Sequence, residues 1–359
     1  MLICRVWFPV GTARRDSSLS HTGSDVLGSG LFARMSPMQQ AKLKECSRVM
    51  GDRVVVHEVG LRDGLQNQPR IVPVVGKLEL LQALIAAGGT SFEVTSFVSP
   101  KAVPQMADAA ELYARLPATP GINYEALVPN ERGYDRAVEA GVKTVALVLA
   151  ATDTFNRRNI NMSLDEALAV CLGVIARAKR EGIRPRAYIA VATACPYEGV
   201  TPPEVVFSLA ARLFDSGAAE VVVADSIGAG NPTQIARLFE TLAQRYGPGR
   251  LAGHFHDTRG MALTHTWAAL QCGIRKFDSS IGGLGGCPFA PGATGNLATE
   301  DLVFMLNEAG YETSIDMAGL QAAVNVAEEK VGKPLGGRIM GWYRSQELRR
   351  QSKTNTHCV

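Results

Sequence analysis

Ala219-Glu220-Val221-Val222-Val223-Ala224-Asp225 is followed by a Gly- and Asn-containing turn and then by Pro232–Tyr246. Leu251-Ala252-Gly253-His254-Phe255-His256 closes the unit. The outer runs are short and mostly apolar, as strands buried on both faces are, and the middle reads as a helix. Worked outward, the same alternation runs through the chain. Strand patterns lie at 53–59, 91–97, 122–128, 143–150, 186–195, 219–225, 251–256 and 276–281. Helical patterns lie at 77–87, 104–116, 131–140, 163–181, 203–216, 232–246 and 261–272, and resume after Asn296. Ser163-Leu164-Asp165-Glu166 is a capping box at the head of the fourth. Eight strands alternating with eight helices predict an α/β chain closed as a (β/α)8 TIM barrel, not an open doubly wound sheet. A helical extension follows at the C-terminus.

The chain has 359 residues, 46% hydrophobic and 20% charged, an ordinary globular composition. Length alone suggests two domains, but barrels of about 250 residues fold as one. The reading is a disordered tail at 1–50, a catalytic barrel at 51–310, and a helical extension and tail at 311–359. Ser17–Gly30 is rich in Ser and Gly and lacks periodicity. With Arg5, Arg14 and Arg15 the segment weakly resembles an organellar transit peptide. Met35, Met38 and Met50 leave an over-long start as another reading. The net charge of +3 gives no footprint for nucleic acid. No run of 18 apolar residues occurs, so no membrane span is expected. Seven widely spaced cysteines without a CxxC pair point to reduced thiols. The expected compartment is the cytoplasm, or the mitochondrial matrix if residues 1–50 are a transit peptide.

A barrel does its chemistry on the loops after the C-terminal strand ends. Polar residues crowd those ends: Glu58 and Arg62-Asp63 after the first strand, Glu93 on the second, Asp225 on the sixth, and His254, His256 and Asp257 on the seventh. His254 and His256 stand at i, i+2, so both imidazoles share a face. With Asp63 at a neighbouring strand end they suit a cation site; the alternative is a hydrogen-bonded core pair. Arg62 facing a barrel interior requires an anion, whether carboxyl, phosphate or developing enolate. Glu93 and Asp225 are either partners of such a site or plain polar residues of the barrel. The eighth strand leads into Gly282–Asn296, where six of fifteen residues are glycine and Cys287 stands in the middle. That stretch reads as a mobile loop carrying a reactive thiol, or as a surface loop with an incidental cysteine. Cys171, Cys195 and Cys272 look structural.

Ile281-Gly282-Gly283-Leu284-Gly285-Gly286-Cys287-Pro288-Phe289 resembles the active-site signature of the hydroxymethylglutaryl-CoA lyase family. Arg62-Asp63-Gly64-Leu65-Gln66-Asn67, Ser96-Phe97-Val98-Ser99-Pro100-Lys101, Asn159-Ile160-Asn161, Cys195-Pro196-Tyr197-Glu198-Gly199 and His254-Phe255-His256-Asp257-Thr258 match other motifs of that family, over about 53–309. The resemblance implies cleavage of 3-hydroxy-3-methylglutaryl-CoA to acetyl-CoA and acetoacetate, as in leucine degradation and ketone body metabolism. It makes Asp63, His254, His256 and Asn296 ligands of a divalent cation, and the O/N donor set suits Mg²⁺ or Mn²⁺. It makes Arg62 the partner of the substrate's thioester or enolate oxygen and Cys287 the catalytic acid/base. Glu93 and Asp225 match active-site positions of less certain role. An acyl-CoA substrate and a homo-oligomer, dimer or tetramer, are implied with it. Leu61, Gln68-Pro69 and Arg259 depart from the family's usual residues, which bears on substrate identity. Competing readings are a lyase on a related thioester such as citramalyl-CoA, a condensing transferase of the isopropylmalate synthase type, and a non-catalytic metal-binding barrel. Transferases of that type usually read His-x-His-Asn-Asp, where this chain has His256-Asp257-Thr258.

Overall fold

The structure, a computed structural model, describes residues 51–286 and 295–355. Eight parallel strands run β1 (Val55–Glu58), β2 (Ser91–Ser96), β3 (Asn123–Leu127), β4 (Thr144–Ala150), β5 (Arg184–Ala190), β6 (Glu220–Asp225), β7 (Leu251–Phe255) and β8 (Lys276–Ser279). They form a closed barrel in which each pairs with its neighbour in sequence and β8 returns to β1. The closing register sets Val55 beside Lys276 and Glu58 beside Ser279. The helices are α1 (Val74–Ala86), α2 (Ala109–Ala114), α3 (Glu131–Glu139), α4 (Leu164–Arg180), α5 (Pro203–Ser216), α6 (Pro232–Tyr246), α7 (Ala262–Gln271) and α8 (Thr299–Glu308). The predicted capping box of α4 is formed by Ser163 and Glu166, and Asn231 with Gln234 makes a second one at α6.

Alternate residues of each strand point inward. Ala146, Tyr188, Val222 and Ala252 make an apolar cluster inside, with Leu127 and Val148 against it. The small Ala146 and Ala252 leave room for the Tyr188 ring. Outward residues such as Val145, Leu147 and Leu149 are buried, as are Leu168, Val174 and Ile175 of α4.

Two element boundaries differ most from the sequence reading. The fifth strand stops at Ala190, because Val191 turns the chain at φ 50°. A separate hairpin then pairs Cys195 with Gly199. The helical pattern at 104–116 splits into a 3-10 turn, Pro104–Met106, and α2. Between them Lys77 Nζ takes the Gln105 carbonyl at 2.7 Å and the Asp108 carboxylate at 2.6 Å. That satisfies backbone which would otherwise need the helix to continue.

Two further helices follow the barrel, Met317–Val331 and Arg338–Asn355. The first is capped by Asp316, which accepts from Gly319 N at 2.7 Å, and Asp316 N donates to Ala87 O at the end of α1. The second starts on Asp301 of α8, which accepts from Arg338 N and Ile339 N, both at 2.9 Å. Among the described residues no single helix is long and apolar enough to cross a membrane.

Candidate active site

After β1 the chain winds into one π-helical turn, Gly60–Gly64, where Val59 O accepts from both Arg62 N and Gly64 N. Such wide turns are rare and recur at functional sites. Buried Glu58 fixes this one: its Oε1 accepts from Gly60 N at 2.7 Å and from Ile281 N at 2.9 Å, and its Oε2 accepts from Thr299 Oγ1 at 2.6 Å. The turn thereby presents Arg62 and Asp63 together. Arg62 is 6% exposed; its Nη1 donates to Asp63 at 2.6 Å and its Nε to Glu93 at 2.5 Å.

Asp63, His254 and His256 each offer one donor atom, and the three lie within 4.8 Å of one another. Asn296 joins them: its Nδ2 donates to Asp63 Oδ2 at 2.6 Å and to Leu284 O at 3.1 Å. His254 Nδ1 meets Asp278 Oδ2 at 3.1 Å, which leaves Nε2 as the nitrogen it can offer. Two atoms here, His256 Nδ1 and Asn296 Oδ1, are buried with no hydrogen-bond partner. A buried polar atom left unpaired costs about 1–3 kcal/mol, so missing partners beside two histidines and a carboxylate fit a place for a cation. The N/O donor set fits a hard or borderline divalent ion.

The electrostatics agree. Burial pushes the Asp63 carboxyl up, but Arg62, His254 and His256 outweigh it and hold it below its ordinary value. Burial, with His254 alongside, pushes His256 down to about 4, so its imidazole is neutral, the form that ligates. Burial raises Glu93 to about 8 against the pull of Arg62, with Glu125 adding repulsion. Asp278 is held well below the carboxylate range, burial being outweighed by Arg186 and by the His254 hydrogen bond.

Of the residues expected from sequence, Arg62, Asp63, His254, His256 and Asn296 come together, with Glu93 directly behind Arg62. Asp225 does not join the cluster. Its carboxylate accepts from Thr193 Oγ1 at 2.6 Å, Ala229 N at 3.0 Å and Gly230 N at 2.9 Å, tying down the loop after β6. Its carbonyl takes His256 N at 3.2 Å. Cys287 lies outside the described residues. The flanks of its loop are anchored: Asn67 Nδ2 donates to Gly286 O at 3.0 Å, and Gly295 O takes Asp257 N at 3.1 Å. Gly285 sits at φ 111°, and a Cβ there would come within 2.4 Å of Asn296 Nδ2. Only glycine lets the loop pass this close to the cluster.

The remaining motifs brace one another. Asn159-Ile160-Asn161 ends a short helix, Asp153–Ile160, with Asn161 left-handed at its C-terminus. The same helix meets the hairpin loop, where Glu198 accepts from Thr154 N at 2.7 Å and Arg158 stacks over Tyr197. Cys195 accepts from Thr152 Oγ1 at 3.1 Å. Gln68 is buried and donates to Gly64 O at 2.9 Å, so this departure from the family pattern closes the β1 loop.

Sequence reading missed the groups beneath the cluster. Arg186 donates to Glu220, Glu125, Tyr188 and Asp278. Tyr188 in turn donates to Asp278 Oδ2 at 2.7 Å. The available signal was the i, i+2 spacing of Arg186 and Tyr188 and of Lys276 and Asp278, the same spacing that singled out the histidines.

Comparison with known proteins adds four findings. Residues 53–327 match the HMGL-like family model. Hydroxymethylglutaryl-CoA lyase of Pseudomonas mevalonii is 44% identical over 277 residues, covering 77% of this chain and 92% of that one. The crystal structure of the Bacillus subtilis HMG-CoA lyase superposes with a TM-score of 0.79 at 41% identity, covering 82% of this chain and 99% of that one. An HMG-CoA lyase of Acinetobacter baumannii, solved with coenzyme A and 3-methylmalate, gives a TM-score of 0.77 at 38% identity, covering 80% and 94%.

Proposed function

The chain belongs to the HMGL-like family of lyases, and we propose the residue roles by which it cleaves 3-hydroxy-3-methylglutaryl-CoA to acetyl-CoA and acetoacetate. The observation that carries the assignment is the convergence of Asp63, His254 and His256 with the unpartnered Asn296 Oδ1, beside a buried arginine. Asp63, His254, His256 and Asn296 would hold the divalent cation, Mg²⁺ or Mn²⁺. When bound, that ion lowers the pKa of the substrate's tertiary hydroxyl and gathers its oxygens.

Cleavage of the carbon–carbon bond leaves negative charge on the thioester oxygen. Arg62 supplies fixed positive charge for it, aimed by Glu93 and Asp63. Cys287 would be the acid/base: as thiolate it takes the proton of the tertiary hydroxyl, and as the thiol so formed it returns that proton to the enolate carbon. Asp225 acts at one remove, through the loop it ties down and the backbone of His256. The catalytic domain on this reading is 51–310, with 311–359 its helical extension.

A homo-oligomer is supported by an apolar groove lined by Leu263, Phe304, Met305, Ile339 and Trp342, the last 53% exposed. A reducing compartment such as the cytoplasm is supported by free Cys171, Cys195 and Cys272.

The test is turnover of hydroxymethylglutaryl-CoA by the metal-stripped protein with Mg²⁺ or Mn²⁺ restored, alongside citramalyl-CoA, with products identified by mass. Acetoacetate and acetyl-CoA should form only with metal, and Cys287→Ser should lower kcat about a hundredfold or more with little change in KM. Metal-independent turnover, or near-normal kcat in Cys287→Ser, would remove the corresponding role.

A further inference from the structure

Asp278 stands on β8, 2% exposed, on the same inward face as Lys276 and one strand over from His254. Its two oxygens are both engaged. Oδ1 accepts from Arg186 Nη2 at 2.6 Å, and Oδ2 accepts from Tyr188 OH at 2.7 Å and meets His254 Nδ1 at 3.1 Å. Tyr188 has only one proton to give and gives it here, because Arg186 Nη1 already donates to its oxygen at 2.5 Å.

A carboxylate ion accepts and cannot donate. The proton in the His254–Asp278 contact therefore sits on His254 Nδ1, and Nε2 carries the lone pair. The ring's rotation is fixed by the same contact and by its edge-on packing against Tyr188, with centroids 5.9 Å apart. We propose that Asp278 is the positioning residue of the cation site: held by Arg186 and Tyr188, it sets the tautomer and orientation in which His254 presents Nε2 to the metal. The proposal rests on the metal reading above.

Substitution by asparagine separates this role from simple packing. The amide keeps the shape but has one acceptor and one NH₂ for three donors. An NH₂ placed at the Oδ2 position faces His254, which must then turn a lone pair toward it and carry its proton on Nε2. An Nε2–H cannot ligate. An NH₂ at the Oδ1 position instead opposes Arg186 and loosens the clamp. Loss of such a partner typically lowers metal affinity 10–100-fold.

The experiment measures Mn²⁺ binding by the metal-free protein, using isothermal titration, for wild type, Asp278→Asn and Tyr188→Phe. It also reads the protonated ring nitrogen of His254 by ¹⁵N NMR. The expected result is Nδ1–H in wild type and Nε2–H in Asp278→Asn. Mn²⁺ affinity should fall 10–100-fold in Asp278→Asn, and by less in Tyr188→Phe, which leaves Asp278 its other two partners. Activity of Asp278→Asn should recover in part at high Mn²⁺. Wild-type protein that binds no Mn²⁺ overturns the metal reading and this one with it. Wild type that binds while Asp278→Asn binds equally well, or a wild-type His254 protonated on Nε2, overturns this one alone. If Asp278→Asn does not fold, the wild-type tautomer and the Tyr188→Phe affinity still decide.

Discussion

Arg186 and Asp63 anchor two clusters of buried charge inside one barrel, and the two are completed to different degrees. Around Arg186, 1% exposed, the guanidinium donates to Glu125, Glu220, Tyr188 and Asp278, and Lys276 adds an ion pair to Glu220. What remains unbonded there is Glu125 Oε2 and His57 Nε2, both on a pair that already meets at 3.5 Å. Around Asp63, the unbonded atoms include His256 Nδ1 and Asn296 Oδ1, on side chains that flank its carboxylate, and Glu93 Oε1 behind Arg62. The lower cluster has supplied its own counter-charges and is scaffold. The upper one is complementary to something the chain does not contain. Asp278 belongs to both, so the scaffold reaches the site through it.

Breaking the upper cluster should be felt in chemistry. His254→Ala is expected to abolish turnover, a fall of more than about a thousandfold, and to weaken Mn²⁺ binding while urea unfolding stays near wild type. Normal Mn²⁺ affinity in this variant would show that the cluster is not a cation site.

Breaking the lower one should be felt in stability. Arg186→Met leaves Glu125, Glu220 and Asp278 buried without their common cation, a loss of about 3–5 kcal/mol in equilibrium unfolding. A variant as stable as wild type would mean that the carboxylates neutralise themselves by protonation, and the contrast between the clusters would weaken.

A sharper cut falls between binding the cation and using it. Arg62→Met should lower kcat about 10²–10³-fold with Mn²⁺ affinity kept within about tenfold. A collapse of metal binding would instead assign Arg62 to holding Asp63 in place. The smallest effect is expected outside both clusters: removing residues 1–48 should leave kcat and KM unchanged, since that stretch has the composition of neither. A large fall in kcat would give it a part in the site.

How much of this could be read beforehand follows from what each group must do. His254 and His256 stand out because i, i+2 spacing in an apolar strand puts both imidazoles on one face, and it is Asp63 at a neighbouring strand end that favours a cation site over a hydrogen-bonded core pair. Arg62 and Asp63 follow a β-branched run closely enough to mark a strand end. Asp278 and Arg186 were passed over because a single acid or base within a strand pattern looks like a surface residue. Only closure of the sheet turns alternate positions into an interior, and only then do partners 92 residues apart meet. The limits of β5 were misjudged for a related reason. Val191 is a good strand former locally, and its left-handed φ is imposed by contacts from elsewhere, Ser226 Oγ to its N and Thr201 Oγ1 to its O.

The barrel closes along the seam between β1 and β8, and the proposed cation site straddles it: Asp63 follows the first strand, and Asn296, which bonds it, comes 233 residues later, after the last. During synthesis, then, a growing chain that has produced Asp63 and even both histidines holds no finished site. The pocket exists only after the final strand docks and the circle is shut. Closure over so long a span is entropically costly, so the four side chains of the proposed cation site come together only once the whole barrel has assembled. A chain cut short before β8 lacks both the closing strand and Asn296, and should be inert whatever other ligands it carries.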